Sequence, residues 1–466
     1  MRFSIISTLA LLLACLGCGD GQSAPEIGND AEPRLIAGGG TGDGAIDGRL
    51  NVYVLDEHSE RPIRGAFVML GSGPDPSFSA TTDNDGLVTF RDPVLAGSQI
   101  VTVYEEGYTL STLFGLDAAN LTVMLEKIEG QPVELDTATV QGEVSGFENL
   151  PVAPAGSARL ALVSYSIPDI FEEDFEFVEQ EGDPPENMVI DAPGMDGSYS
   201  LETWVGEQSI WALAGIFTPG QNGEFDFEPS HMGLVRGIQP SEDQVLEDVD
   251  ISLDIPVDQD CEIATTGVPE RMELIQNLVL LELGQDEQLL VSALSPEPGP
   301  MKLPALEGAL AGGCFHLVLR AYHEVCEGED CEEAAPYSML IRRGLGLADL
   351  SPATVDDFLA PPAQMSVDGR TLTFSYGLPQ EAEITGGEIE DADGKKLWSF
   401  MLFDNASSFQ LPVLPAEAGH AGLAGELLWR QQAIAVQGEV DPNDFEFERF
   451  NELVTHMAAD ELAFTP

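Results

Sequence analysis

The stretch Thr82-Asp83-Asn84-Asp85-Gly86-Leu87-Val88-Thr89-Phe90 decides the fold class. An Asp-Asn-Asp-Gly cluster favours a tight turn, and the run after it has the composition of a strand. Working outward, Leu50, Val52 and Val54 alternate with other residues, and Ala66, Val68 and Leu70 do so again after the Arg61-Pro62 turn. Ile100-Val101-Thr102-Val103 and Leu121-Thr122-Val123 follow downstream. A period of two places successive side chains on opposite faces, as in strands with one buried face. Residues 48–128 are therefore expected to form a small β-sandwich.

The order of these signals resembles the carboxypeptidase regulatory-like domain, a prealbumin-like β-sandwich. The residues that carry the match are Gly48, Val52 and Val54, then Pro62-Ile63-Arg64-Gly65-Ala66-Phe67-Val68 and the stretch 82–90. Gly97, Val101, Val103 and Gly107-Tyr108 complete it, over roughly a sixth of the chain. The resemblance implies a module that is usually a non-catalytic accessory of secreted or surface proteins.

The same grammar recurs downstream. Residues 137–258 open on Val140-Gln141-Gly142-Glu143-Val144, and Ser198–Trp204 with Ser209–Ala214 reads as a hairpin around Gly206. Asp248-Val249-Asp250-Ile251-Ser252-Leu253-Asp254-Ile255 alternates acid with aliphatic, the signature of a strand with one wet face. This is expected to be a second β-sandwich carrying an acidic insertion, 170–187. Residues 262–348 contain two apolar runs that read as buried strands, Leu278-Val279-Leu280-Leu281 and Phe315-His316-Leu317-Val318-Leu319; Met272 to Leu278 reads equally as a helical turn. In 361–466, Leu372–Tyr376, an Asp393-Gly394 turn, Trp398 and a Leu-Pro run resemble an immunoglobulin or fibronectin-III sandwich. Asn451 to Asp460 suggests a short terminal helix.

The N-terminus points to an address. Met1-Arg2 precedes an uncharged apolar run, Phe3 to Gly17, and then Cys18-Gly19-Asp20. This resembles a bacterial lipoprotein signal peptide, residues 1–18. Two cysteines compete for the lipid: Leu12-Leu13-Ala14 precedes Cys15, whereas Cys18 sits where the polar chain begins and is preferred. Residues 19–47, rich in Gly and Asp, are expected to be a flexible tether with an r.m.s. span on the order of 30 Å. The implied localisation is the cell envelope, at the outer membrane or cell surface, with the membrane engaged through lipid.

Among 466 residues, 81 are Asp or Glu against 19 Lys or Arg, a net charge of −62. Such a field repels nucleic acid, which is excluded as a partner. Hydrophobic residues make up 43%, too many for a disordered acidic chain. Only four residues are Lys (Lys127, Lys302, Lys395, Lys396), while acids recur in every module. A solvated surface made almost wholly of carboxylate is how a folded protein adapted to high salt looks, because screening weakens its self-repulsion.

Candidate chemistry is sparse. Cys261, Cys314, Cys326 and Cys331 form an even set in an exported chain, which points to disulfides. Cys326 and Cys331 enclose a four-residue turn, leaving Cys261 to pair with Cys314 and close a loop of about 53 residues. Zinc is the alternative, since Cys314 and His316 would share one face of a strand, with His323 nearby. The spacing matches no zinc motif, and no metal or other cofactor is assigned. His323-Glu324-Val325-Cys326-Glu327 lacks the second His of a metalloprotease helix. Asp83-Asn84-Asp85-Gly86 and Asp391-Ala392-Asp393-Gly394 open like calcium loops, but their twelfth positions are Val94 and Leu402, so both are expected to be turns. Phe171–Phe177 and Asp444–Glu448 alternate Phe with acids, and Trp204, Trp211, Trp398 and Trp429 lie in strand-like runs; core packing is expected for both sets.

No nucleophile elbow, phosphate loop or dinucleotide fingerprint is present. The expectation is an all-β chain of tandem sandwiches that acts without catalysis, by binding an envelope protein or glycan or as a scaffold. An accessory subunit of an exported hydrolase or peptidase, and a calcium- or glycan-dependent adhesin, are the alternatives.

Overall fold

A computed structural model describes residues 32–128 and 137–466, apart from 168–185, 195–196, 220–224, 273, 285–286, 292–297, 328–329, 377–383, 393, 404–405, 421, 439 and 448. The chain is all-β: among the described residues the one α-helix is a single turn, Phe450–Leu453. Two compact units account for it, one of 137–333 with 340–358 and the other of 32–128, 334–339 and 359–466. The first and last sequence segments thus fall in one unit, the second and third in the other.

In the unit of 32–128, 334–339 and 359–466, the strand Asp47–Asp56 lies antiparallel to Leu87–Ala96 and parallel to Asn120–Leu125. Leu50, Val52 and Val54 are fully buried, as the period of two requires. The turn before Leu87 is closed by the Asp83 carboxylate, which accepts the backbone N–H groups of Asp85 (2.9 Å) and Leu87 (3.0 Å). Gly86 sits at φ +70°, and a Cβ there would lie 2.7 Å from the Val54 carbonyl oxygen, so glycine is required.

A second sheet of this unit runs in the order Val454–Phe464, Leu427–Val436, Ile384–Asp391, Lys396–Leu402, Leu110–Leu116, Gln99–Tyr104, Phe67–Leu70, Phe78–Thr81. Its central join is parallel, Trp398 opposite Leu110 and Leu402 opposite Phe114. Leu110, Phe114, Trp398, Phe400 and Trp429 share a core with Leu372, Phe374 and Phe409 of a three-stranded sheet. The expected helix over 451–460 is largely strand: after the turn at Phe450–Leu453, Val454–Phe464 pairs along Leu427–Val436. Hydrogen bonding to a neighbouring strand outweighs local helix propensity there.

Residues 36–47, the far end of the expected tether, are part of this unit. Ile36 is buried and donates its N–H to Thr122 Oγ1 at 3.0 Å. Gly40–Gly42 is a strand between Asn120–Leu125 and Phe445–Glu446. The signal segment and residues 19–31 lie outside the described residues, as do Cys15 and Cys18.

The other unit contains a sandwich. One sheet runs Met188–Ile190, Ala158–Tyr165, Gln208–Pro219, Phe225–Ile238, Ile255–Thr265, Pro300–Pro304; the other is built on Ser198–Trp204 and Thr137–Ser145. Val140, Val144 and Leu201 pack against Ala161, Val163, Ile210 and Ala212 between them. The expected hairpin around Gly206 is not formed, because Ser198–Trp204 and Gln208–Pro219 belong to these two different sheets. The three residues between them turn a corner across the core. Val249, Ile251 and Leu253 are buried while Asp250 and Asp254 are exposed, so the alternation of burial holds. Asp248–Ile255 is not one strand, however: Ile251–Ser252 pairs parallel with Thr137–Ser145, and Ile255 opens the strand Ile255–Thr265 of the other sheet.

Candidate functional site

Next to that sandwich, in the same unit, the strand Leu274–Gly284 pairs antiparallel with Cys314–Glu327. Both apolar runs are strands, and the described residues Leu274 to Leu278 belong to the first of them rather than to a helical turn. Val279, Leu281, Phe315, Leu317 and Leu319 fill one face and are buried. The opposite face carries different chemistry. The register sets Glu282 opposite Cys314 and Leu280 opposite His316, so Glu282, Cys314 and His316 share one face at neighbouring positions. Gly313 permits the approach, since a Cβ there would meet the Glu282 carbonyl oxygen at 2.7 Å.

The three side chains converge on a point. The Cys314 thiol lies 3.7 Å from Glu282 Oε2, to which it donates, and 3.8 Å from His316 Nε2. His316 Nε2 is hydrogen-bonded to the same Oε2. His316 is 4% exposed, and burial pushes its pKa below the usual histidine range, against the pull of the Glu282 carboxylate. The His316 Nδ1 is buried without a hydrogen-bond partner. Burial and the adjacent carboxylate both push the Cys314 thiol up. A thiol, an imidazole and a carboxylate within 4.8 Å of one another are three donors able to hold one cation.

The expected Cys261–Cys314 disulfide is not present: both are free thiols. The reason is sheet membership. Cys261 lies on Ile255–Thr265 in the sandwich, buried, with its thiol donating to the Leu350 carbonyl at 3.0 Å, whereas Cys314 lies on the separate sheet beside Glu282. Burial pushes the Cys261 thiol up to about 11. The Cys326 and Cys331 side chains lie outside the described residues. His323 is in the strand Cys314–Glu327, so its following residues form no metalloprotease helix.

The remaining candidates resolve into turns and core. Asp391 Oδ1 accepts the Lys395 N–H at 3.0 Å, closing a hairpin turn as Asp83 does. Trp211, Trp398 and Trp429 are fully buried, and Trp204 packs edge-on to Tyr165. Phe445 and Phe447 are buried, and the Phe445 ring packs against both Phe447 and Phe450; Phe171–Phe177 lie outside the described residues. In the unit that includes 359–466, buried Glu388 is held by Arg430 at 2.6 Å and Lys396 at 3.5 Å, and Lys396 also reaches Glu126 at 2.8 Å. Arg430 also reaches Glu390 at 3.2 Å and Glu461 at 3.4 Å, so four carboxylates share two cations.

Glu282 is the residue that sequence reasoning missed. Its one signal is a carboxylate directly after the apolar run 278–281; its partners depend on a strand register that no local pattern reveals.

No family model matches the chain, and no curated protein matches it. Among solved structures, the shaft pilin SpaA of Lactobacillus rhamnosus GG is 10% identical over 45% of this chain and 98% of its own, with a TM-score of 0.15. The Bacillus anthracis TIE protein is 12% identical over 66% of this chain and 49% of its own, with a TM-score of 0.14. Fervidolysin from Fervidobacterium pennivorans is 13% identical over 42% of this chain and 30% of its own, with a TM-score of 0.15. At such TM-scores these likenesses carry no argument about role.

Proposed function

We propose that the chain is a non-catalytic cell-envelope protein, lipid-anchored through Cys18 or Cys15, whose two β units serve as a scaffold or a binding body for an envelope protein or glycan. The observation that carries the reading is the strand Gly40–Gly42, bonded on both edges within a packed unit soon after the lipoprotein-like segment. A pull on the N-terminus is thereby received by a sheet core. With Cys18 lipidated, about 18 residues separate the lipid from buried Ile36, a reach of at most about 60 Å. The resemblances of 48–128 to a regulatory-like module and of 361–466 to an immunoglobulin-like sandwich fit the same role. Mass spectrometry of the membrane-extracted protein tests it: a lipid-modified Cys18 or Cys15 at the mature N-terminus is expected, and an unmodified N-terminus elsewhere overturns the anchor.

A further inference from the structure

We propose that Glu282, Cys314 and His316 form a three-ligand site for a zinc-class divalent cation. The geometry supports it first. Zinc bonds of roughly 2.0 Å to N or O and 2.3 Å to S, at tetrahedral angles, set sulfur about 3.5 Å from the other ligand atoms. Cys314 Sγ already lies 3.7 and 3.8 Å from Glu282 Oε2 and His316 Nε2. Only the carboxylate–imidazole contact has to open, and the Glu282 side chain, 34% exposed, has room to swing outward.

The donor chemistry supports it next. Thiolate, imidazole and carboxylate together suit zinc better than calcium or magnesium, which take oxygen ligands. Coordination through Nε2 requires that the imidazole proton be carried on Nδ1, which is buried without a hydrogen-bond partner. The Cys314 thiol proton is released to solvent as the metal–sulfur bond forms. Two anionic ligands balance the dication, so the site acquires no net charge, and Arg343, which bears on His316, meets no net repulsion. Three protein ligands leave a fourth position for water on the exposed Glu282 side.

The inference is independent of lipid anchoring. The test is anaerobic titration of the reduced, metal-free full chain with Co(II), followed by displacement with Zn(II). One ion per chain is expected, with a thiolate-to-cobalt charge-transfer band and the intense visible bands of a four-coordinate site. The band should vanish in C314S and persist in C261S. E282Q, at a partly exposed position where the fold tolerates the change, should keep the band with affinity lowered at least about tenfold. Circular dichroism establishes that each variant is folded. A wild-type chain without the band, a C314S chain that retains it, or an E282Q chain of unchanged affinity overturns the proposal.

Discussion

The indole N–H of Trp398 donates to the Thr112 hydroxyl at 2.9 Å, joining residues 286 positions apart inside one core. Both are fully buried, and Thr112 Oγ1 also lies 3.2 Å from Thr102 Oγ1. The bond spans the parallel join between Leu110–Leu116 and Lys396–Leu402, where the first and last segments of the chain become one sheet.

Replacing Thr112 by Val keeps the shape and removes the acceptor, leaving a buried indole N–H unpaired. Such a loss costs about 1–3 kcal/mol. Urea unfolding followed by tryptophan fluorescence should show a lower midpoint for T112V with little change in slope. An unchanged midpoint would mean that the bond adds nothing to stability.

Asp56 supplies a pH-dependent contribution. Burial opposes its charge, but Lys127 (2.7 Å), Ser59 (2.8 Å from the N–H, 2.7 Å from the hydroxyl) and Tyr108 (2.8 Å) outweigh burial and hold its pKa well below the usual carboxylate range. A depressed carboxylate pKa stabilises the fold above the unfolded value, near pH 4, and that stabilisation is lost as the pH falls toward the folded value. D56N should therefore be less stable than wild type by about 2 kcal/mol at pH 7, with the gap closing below about pH 4. Denaturation at pH 7, 5 and 3 measures it; a gap independent of pH would remove the linkage.

With a net charge of −62, the folded chain repels itself, and salt screens that repulsion over a Debye length of about 10 Å at 0.1 M and 3 Å at 1 M. The melting temperature should climb steeply between 0.1 M and 2 M NaCl. A flat calorimetric response would count against salt adaptation.

Cys261 and Cys314 are free, so thiol titration of the unfolded, unreduced chain should find at least two reactive thiols. In the folded, metal-free protein Cys261 should react far more slowly than Cys314, because it is 2% exposed and burial disfavours its thiolate. Finding no thiols after unfolding would restore a disulfide framework.

The strands were legible wherever one face is buried. Leu50, Val52 and Val54 announced both strand and buried face before any neighbour was known, whereas Val249, Ile251 and Leu253 announced the buried face but not the single strand expected there. The Asp83 and Asp391 turns were equally readable, because an aspartate that closes a turn does so within four residues. Expectations failed where the deciding partner was remote. Ser198–Trp204 and Gln208–Pro219 looked like a hairpin and joined different sheets; Cys261 and Cys314 looked like a pair and lie on different sheets; Ile36 looked like tether and is bonded to Thr122. Cys314 and His316 sharing a face was readable, whereas Glu282 completing the group was not.

The amino-acid order alone determined that this chain is all-β, which residues face inward, and where its turns fall, because alternation and turn chemistry act over two to four residues. Tertiary structure alone decided that residues 32–128 and 359–466 make one unit and that Glu282 meets Cys314 and His316. Strand partner and register are chosen by the burial of whole faces and by backbone hydrogen bonds between distant segments, so they are properties of the assembled sheet and not of any one strand.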